Sequence, residues 1–289
     1  LISLHRENYF ANVFLTHTWG SGALDRREGP VHNSITKEAE TVTLQEFFAA
    51  HPKAALAFSG GVDSAYLLYA ALHAGVQVRP YFVKTPFQPA FELADAQRLC
   101  EELGAVLTVL EMDILACSQV AANPPDRCYH CKNQLFGLLR DAARRDGYDL
   151  LLDGTNASDE ADDRPGMRAL EELGVLSPLR ICGLTKAEIR RRSKEAGLFP
   201  WDKPAYACLA TRVPTGQPLD RELLHRVERA EDGLRALGFT DLRVRVFHGA
   251  ARVQLPAGQF PLATEKREEI LNAVRPWFEP VLLDMEARA

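Results

Sequence analysis

The sequence predicts an α/β protein: a doubly wound, mostly parallel sheet followed by a small C-terminal α/β domain. Three observations predict it. From Thr43 to about Pro214, short apolar runs alternate with stretches of helical periodicity that close at glycines such as Gly75, Gly104, Gly147 and Gly197. The run 54–58 passes through a glycine pair directly into a helix, as at the carboxyl edge of a parallel sheet. Beyond Pro214 the order changes to a helix, two strands, a helix and a last strand. Strands separated by helices pair in parallel through right-handed crossovers.

The elements follow in chain order. Residues 1–42 are polar and lack sustained periodicity; they are expected to form a poorly ordered N-terminal extension with no assigned role. Residues 44–50 read as a short helix and 54–58 as a buried strand. Residues 63–74, with Leu67, Leu68, Ala71 and Leu72 at helical spacing, read as a helix. A strand at 76–83, a helix at 89–103 and a strand at 105–110 come next, then a helix at 132–145, a strand at 149–153 and a helix at 185–196. These make a nucleotide-type domain over 43–214. The second domain, 215–289, has a helix at 222–237, paired strands at 242–247 and 251–255 turning at His248 and Gly249, a helix at 264–274 and a strand at 280–283.

The chain has 289 residues, 46% hydrophobic and 25% charged, with a formal net charge of −5. That length suits one or two domains with a substantial core. The acidic balance argues against a protein that holds nucleic acid mainly by its phosphates. No apolar run approaches the ~20 residues of a membrane-spanning helix, and residues 1–14 lack the order of a secretion signal. The expectation is a cytoplasmic protein. Its six cysteines, at 100, 117, 128, 131, 182 and 208, are then expected as thiols. Cys128 and Cys131 form a C-x-x-C, which raises metal or redox chemistry. Cys100, Cys117 and Cys182 read as small buried hydrophobes.

The loop Ser59-Gly60-Gly61-Val62-Asp63-Ser64 joins the first buried strand to its helix. Its glycines can take φ > 0 and let backbone N–H groups approach a ligand. Ser59 and Ser64 add hydroxyls, and the helix N-terminus adds oriented N–H groups and a dipole that favours an anion. This suits the pyrophosphate end of ATP. It is not a Walker loop, because no Gly-Lys-Ser/Thr follows. The plainer alternative is a tight turn capped by Asp63 or Ser64. The string resembles the PP-loop of the ATP pyrophosphatases, a superfamily with a Rossmann-like, adenine nucleotide alpha hydrolase-like fold. That resemblance implies cleavage of ATP to AMP and pyrophosphate through an adenylylated substrate, with Mg²⁺ at the phosphates and Asp63 placed to help hold it. Asp153-Gly154-Thr155-Asn156 resembles the second nucleotide-site segment of the same enzymes, so Gly154, Thr155 and Asn156 join the candidate nucleotide site; a plain turn is its alternative.

Around this loop stand Arg127-Cys128-Tyr129-His130-Cys131-Lys132, Arg164-Pro165-Gly166-Met167-Arg168, Ser177-Pro178-Leu179, Thr185-Lys186 and Ala207-Cys208-Leu209-Ala210-Thr211-Arg212. Their order and combination resemble the LarE family, sulfur-inserting enzymes of nickel-pincer nucleotide biosynthesis. The resemblance covers about residue 43 to the end. It implies that ATP adenylylates a carboxylate of pyridinium-3,5-biscarboxylic acid mononucleotide and that sulfur then displaces AMP. In some members one cysteine, matching Cys208, gives up its own sulfur and becomes dehydroalanine. Others carry three cysteines that hold a [4Fe–4S] cluster with one open iron.

Cys128, Cys131 and Cys208 have the three-cysteine pattern, so the cluster version is favoured. Three thiolates with a fourth ligand, for which His130 is a candidate, also suit Zn²⁺. By the same resemblance Arg212, Arg243 and Arg245 line a pocket for the substrate phosphate, Glu231 binds a metal near it, and the chain forms a homo-oligomer. Arg243 and Arg245 alternate on a strand and so share a face. Solvated strand arginines and a solvated helix are the plainer readings. Competing functions are a tRNA thiolation enzyme, an ammonia-using amide synthetase, and a nucleotide-binding regulatory module without turnover.

Overall fold

The computed structural model describes residues 42–159 and 164–288. Apart from Val42, the expected N-terminal extension lies outside the described residues. Helix α1 (Leu44–Ala50) opens with a capping box between Thr43 and Glu46. Strand β1 (Lys53–Ala57), α2 (Val62–His73), β2 (Gln77–Lys84), α3 (Ala90–Glu102) and β3 (Thr108–Glu111) follow. A short helix α4 (Ser118–Ala121), the long α5 (Arg127–Arg145) and the two-residue strand β4 (Leu151–Leu152) come next. The parallel sheet runs β3-β2-β1-β4. Both its faces are covered. Ala54 and Leu56 pack on one side with Leu67, Leu68, Leu99 and Ile189, while Ala55 packs on the other with Tyr81, Leu139 and Ala142.

After β4 the chain forms α6 (Arg164–Glu172), α7 (Pro178–Ile181) and α8 (Lys186–Glu195), then two 3₁₀ turns, over Phe199–Asp202 and Leu209–Arg212. Helix α9 (Arg221–Ala236) leads to a second sheet of β5 (Arg243–Phe247), β6 (Ala250–Gln254) and β7 (Val281–Leu283). Strands β5 and β6 are antiparallel, β6 and β7 parallel. The hairpin turns through His248 (φ +50°) and Gly249 (φ +84°), the left-handed pair that matches strand twist. This sheet has its own core of Val244, Val246, Val253, Leu234 and Phe278, which also takes in Phe87, Ile114 and Val120 from the first sheet's loops.

Several boundaries differ from expectation, and the strand expected at 149–153 shortens to Leu151–Leu152. The helix expected from Lys132 begins at Arg127, so Cys128 and Cys131 lie within its first turns, three residues apart and on one face. The helix expected over 264–274 is two, α10 (Phe260–Glu265) and α11 (Arg267–Val274), broken at Lys266, whose side chain caps Leu237 O at 2.9 Å. The third strand starts at Thr108 rather than Ala105, because only Thr108–Glu111 reach β2.

Candidate active site

The glycine loop lies at the carboxyl end of β1, where a parallel sheet opens its crevice. Gly60 takes φ +74°, and a Cβ there would also meet the Ala96 backbone nitrogen at 3.1 Å. Both the conformation and the close approach require glycine. Gly61 precedes α2 without a side-chain cap, which leaves the helix N-terminus open to an anion. Ser64 Oγ donates to Gly61 O (3.1 Å) and accepts from Ser59 N (3.3 Å), pinning the loop across its base.

The second segment seats against this loop. A Cβ on Gly154 would stand 3.0 Å from Ser64 N and 3.4 Å from the Asp63 carbonyl carbon. Asn156, fully buried, donates from Nδ2 to Asp63 Oδ1 at 3.3 Å. Asp153 accepts from Thr155 Oγ1 and from Ser177 Oγ, and burial nevertheless raises its pKa. A cleft of about 320 Å³ opens here, lined by Ser59, Asp63, Asp153, Gly154 and Thr155 with Phe82 and Leu139 beneath. That is within the size range of small-molecule clefts. Gly154→Ala is expected to cost about 1–3 kcal/mol by overpacking and to weaken ATP binding, measured by melting with and without nucleotide. An unchanged ATP-induced shift would mean that this seam does not shape the nucleotide site.

Lys186, at the start of α8, forms a close ion pair with Asp63. One turn later on the same helix, Arg190 donates from both terminal nitrogens to the carbonyls of Trp201 and Lys203, at 2.6 Å each. These carbonyls belong to the segment that carries Cys208. A second cavity, about 370 Å³, is lined at one end by Ser59, Gly60, Gly61 and Asp63 and at the other by Tyr206 and Cys208.

Cys128, Cys131 and Cys208 lie near enough to act on one another's charge. The Cys131 thiol is pushed up to about 12, by burial first and then by Cys208 and Cys128, with Arg127 opposing. Burial likewise raises Cys208, with Cys128 adding to it and Arg127 opposing. Arg127 is itself buried and lies 3.7 Å from the Cys128 sulfur. His130 pairs with Asp126 at 3.3 Å. Among the described residues, no group of three or more His, Cys, Asp or Glu side chains is arranged to hold a metal ion.

Glu231 is fully buried at the centre of an arginine cluster. Its carboxylate accepts from Arg212 Nε (2.7 Å), Tyr206 Oη (2.7 Å), Arg235 Nη2 (3.0 Å) and Val244 N (3.0 Å). Burial alone would raise its pKa, but the Arg212 guanidinium and these hydrogen bonds hold it below the usual carboxylate value. Arg212, 1% exposed, also donates to the carbonyls of Ala207 (2.8 Å) and Cys208 (3.3 Å). Arg243 is buried beside Ala205 O and Leu242 O, and burial followed by the nearby Arg212 lowers it to about 10. Arg245 shares its face, donates to Thr211 O at 2.7 Å, and is lowered by burial and by Arg212, Arg252 and Arg288.

No family model matches the sequence. Relatives do. The chain is 38% identical over 223 residues to an uncharacterized protein of Synechocystis sp., covering 77% of this chain and 83% of that one. It is 35% identical over 241 residues to the pyridinium-3,5-bisthiocarboxylic acid mononucleotide synthase of Lactiplantibacillus plantarum, covering 80% of this chain and 84% of the relative. The chain belongs to the LarE family. Lesser similarity, 27% over 188 residues and about half of each chain, reaches the tRNA-specific 2-thiouridylase MnmA of Thermotoga petrophila. This LarE-family chain is therefore an ATP-dependent sulfurtransferase of the PP-loop superfamily, and its parallel sheet is the fold of that superfamily.

In this LarE-family chain the structure brings the glycine loop, Gly154, Thr155 and Asn156 together; Cys128, Cys131 and Cys208 act on one another's charge but form no metal-holding group among the described residues. Arg212 and Glu231 engage each other rather than standing open. The arginine fork clamps the backbone that carries Cys208, and both Glu231 oxygens are occupied by protein donors. Arg243 and Arg245 are drawn inward instead of being solvated. Sequence alone assigns no role to Lys186 in the Thr185-Lys186 string; its signal is position, a lysine at a helix start (Thr185 is the N-cap). Arg190 gave no local signal, since its partners are backbone carbonyls 11 and 13 positions further on.

Proposed function

We propose that this chain adenylylates a carboxylate of pyridinium-3,5-biscarboxylic acid mononucleotide and replaces AMP with sulfur, giving a thiocarboxylate of the nickel-pincer precursor. One observation carries the reading: the anion-ready glycine loop and Cys208 line a single cavity. An acyl adenylate formed at one end would be within the space that the sulfur-bearing segment closes at the other. The Lactiplantibacillus relative, a pyridinium-3,5-bisthiocarboxylic acid mononucleotide synthase, supports the same substrate class.

The chain's own groups divide the work. Backbone N–H groups of Gly60, Gly61 and the start of α2 bind the departing pyrophosphate. Lys186 meets phosphate charge beside the loop. Mg²⁺, held at Asp63, would neutralise the triphosphate. Asn156 orients the Asp63 carboxylate. Arg212 fixes the Cys208 backbone, and Arg243 and Arg245 supply positive potential for the substrate phosphate. The sulfur donor set suits an iron–sulfur cluster in kind, because the three residues are thiols near enough to act on one another's charge, with Arg127 opposing. Cys128, Cys131 and Cys208 would hold a [4Fe–4S] cluster, which would supply sulfur from outside the polypeptide. Family membership supports a homo-oligomer.

The test is anaerobic incubation with ATP, Mg²⁺ and the dicarboxylate mononucleotide. Pyrophosphate, AMP and a product heavier by the oxygen-to-sulfur exchange are expected. Asp63→Ala is expected to cut pyrophosphate release by about 10²-fold or more with the melting temperature preserved. Normal release from that variant would refute the loop assignment. Retention of tRNA on gels at moderate salt, or full activity after replacing all three cysteines by serine, would redirect the reading to RNA thiolation or amide synthesis respectively.

A further inference from the structure

The cavity between the glycine loop and Cys208 is lined by six charged side chains: Asp63, Glu92, Asp95, Lys186, Arg190 and Lys203. Five are matched. Asp63 pairs with Lys186, Asp95 with Lys203, and Arg190 grips two backbone carbonyls. Glu92 alone has no hydrogen bond or ion pair among the described residues. It stands in the first turn of α3, where a carboxylate could cap free backbone N–H groups, yet Ala90 N is already taken by Glu228 Oε1 at 2.7 Å from α9. Its carboxyl therefore caps no backbone N–H and makes no close ion pair, though Lys84, Arg212 and Arg235 act on it at longer range.

We propose that Glu92 is the proton acceptor of the sulfur-transfer step: a carboxylate kept without a partner in the cavity that joins the adenylylation loop to the sulfur-bearing segment. This rests on the function proposed above. The step balances without any oxidant. The entering sulfur, present as a thiol or hydrosulfide, forms a bond to the acyl carbon. The bond from that carbon to the AMP oxygen breaks, AMP leaves with the electron pair, and the sulfur's proton passes to Glu92. A sulfur nucleophile must lose its proton to react.

The surroundings suit the task. Burial, and to a lesser degree Asp95 on its own helix, raise Glu92 to about 7, while Lys84 of β2, Arg212 of the 3₁₀ turn and Arg235 of α9 oppose the shift. Across the cavity it faces Asp63, Lys186, Arg190, Lys203, Tyr206 and Cys208. A base that titrates near the working pH is best matched to proton transfer. Because the carboxylate form accumulates above pH 7, AMP release should rise with pH through about 7 and then level.

Glu92→Gln keeps the shape and removes the base. In single turnover with ATP, Mg²⁺ and the dicarboxylate mononucleotide, pyrophosphate release should stay within about twofold while AMP release slows about 10²-fold, the usual scale of a lost general base. Its rise near pH 7 should vanish, and Glu92→Asp should restore part of the rate and the rise. The variant should also gain melting temperature over wild type at pH 8 more than at pH 5, since only the charged form is penalised by burial. AMP release with an unchanged rate and pH curve overturns the assignment. Equal loss of both half-reactions overturns it in favour of a structural role. A wild-type chain that releases no pyrophosphate fails the parent reading, and this one with it; normal pyrophosphate release confines any failure to Glu92.

Discussion

Cys208→Ser is expected to leave pyrophosphate release intact and to lower thiocarboxylate formation on the order of 10⁴–10⁶-fold, the scale seen when a nucleophile or its essential partner is removed. The fold should not suffer. Leu209 and Ala210 are buried beside it, Leu209 N is bound to Phe87 O at 2.9 Å, and Arg212 holds the Cys208 carbonyl, none of which needs the sulfur. Intact-protein mass spectrometry of the wild type adds a separate reading. Loss of one sulfur from Cys208 per turnover would mean that the residue is consumed. An unchanged mass with continued turnover would mean that sulfur comes from outside the chain, as a cluster on Cys128, Cys131 and Cys208 would provide. Undiminished product from Cys208→Ser would remove this cysteine from the chemistry.

Glu231→Ala is expected to destabilise the protein by about 3–5 kcal/mol, because it strands a buried charge. Arg212 is 1% exposed and would keep a guanidinium with no carboxylate beside it. Tyr206 Oη and Val244 N would lose their acceptor as well. Urea unfolding measures the loss. Since Glu231 is held below its usual value of 4.5, its contribution is present above that pH and is lost as pH falls through its lower folded value. The gap between variant and wild type should therefore narrow in acid. Removing both partners, as Arg212→Met with Glu231→Leu, should recover part of the stability. It should not recover sulfur transfer, because the Ala207 and Cys208 carbonyls would no longer be gripped. A loss below about 1 kcal/mol for Glu231→Ala, the range of an exposed pair, would contradict the burial that the argument uses.

The parts legible in the sequence are those written in neighbouring residues. A buried strand, two glycines and a helix start lie within a dozen positions, and the left-handed φ of Gly60 follows from that arrangement. The His248-Gly249 turn was legible for the same reason. The start of α5 was not, because two prolines precede Asp126 and no side-chain cap marks the entry. The broken helix at Lys266 depends on a bond to Leu237, 29 positions away. Electrostatic partners were least legible. Asp63 meets Lys186 across 123 positions, and Glu231 gathers donors from three separate segments. Periodicity could place Glu231 on a helix, but not decide between solvent, a metal and an arginine cluster.

Lys186 and Arg190 stand one helical turn apart on α8, one reaching the phosphate loop and the other the backbone before Cys208. That turn is a built-in gauge. Each residue added or removed between them would swing one grip by roughly 100° about the helix axis, so only the four-residue interval lets one helix face make both grips at once.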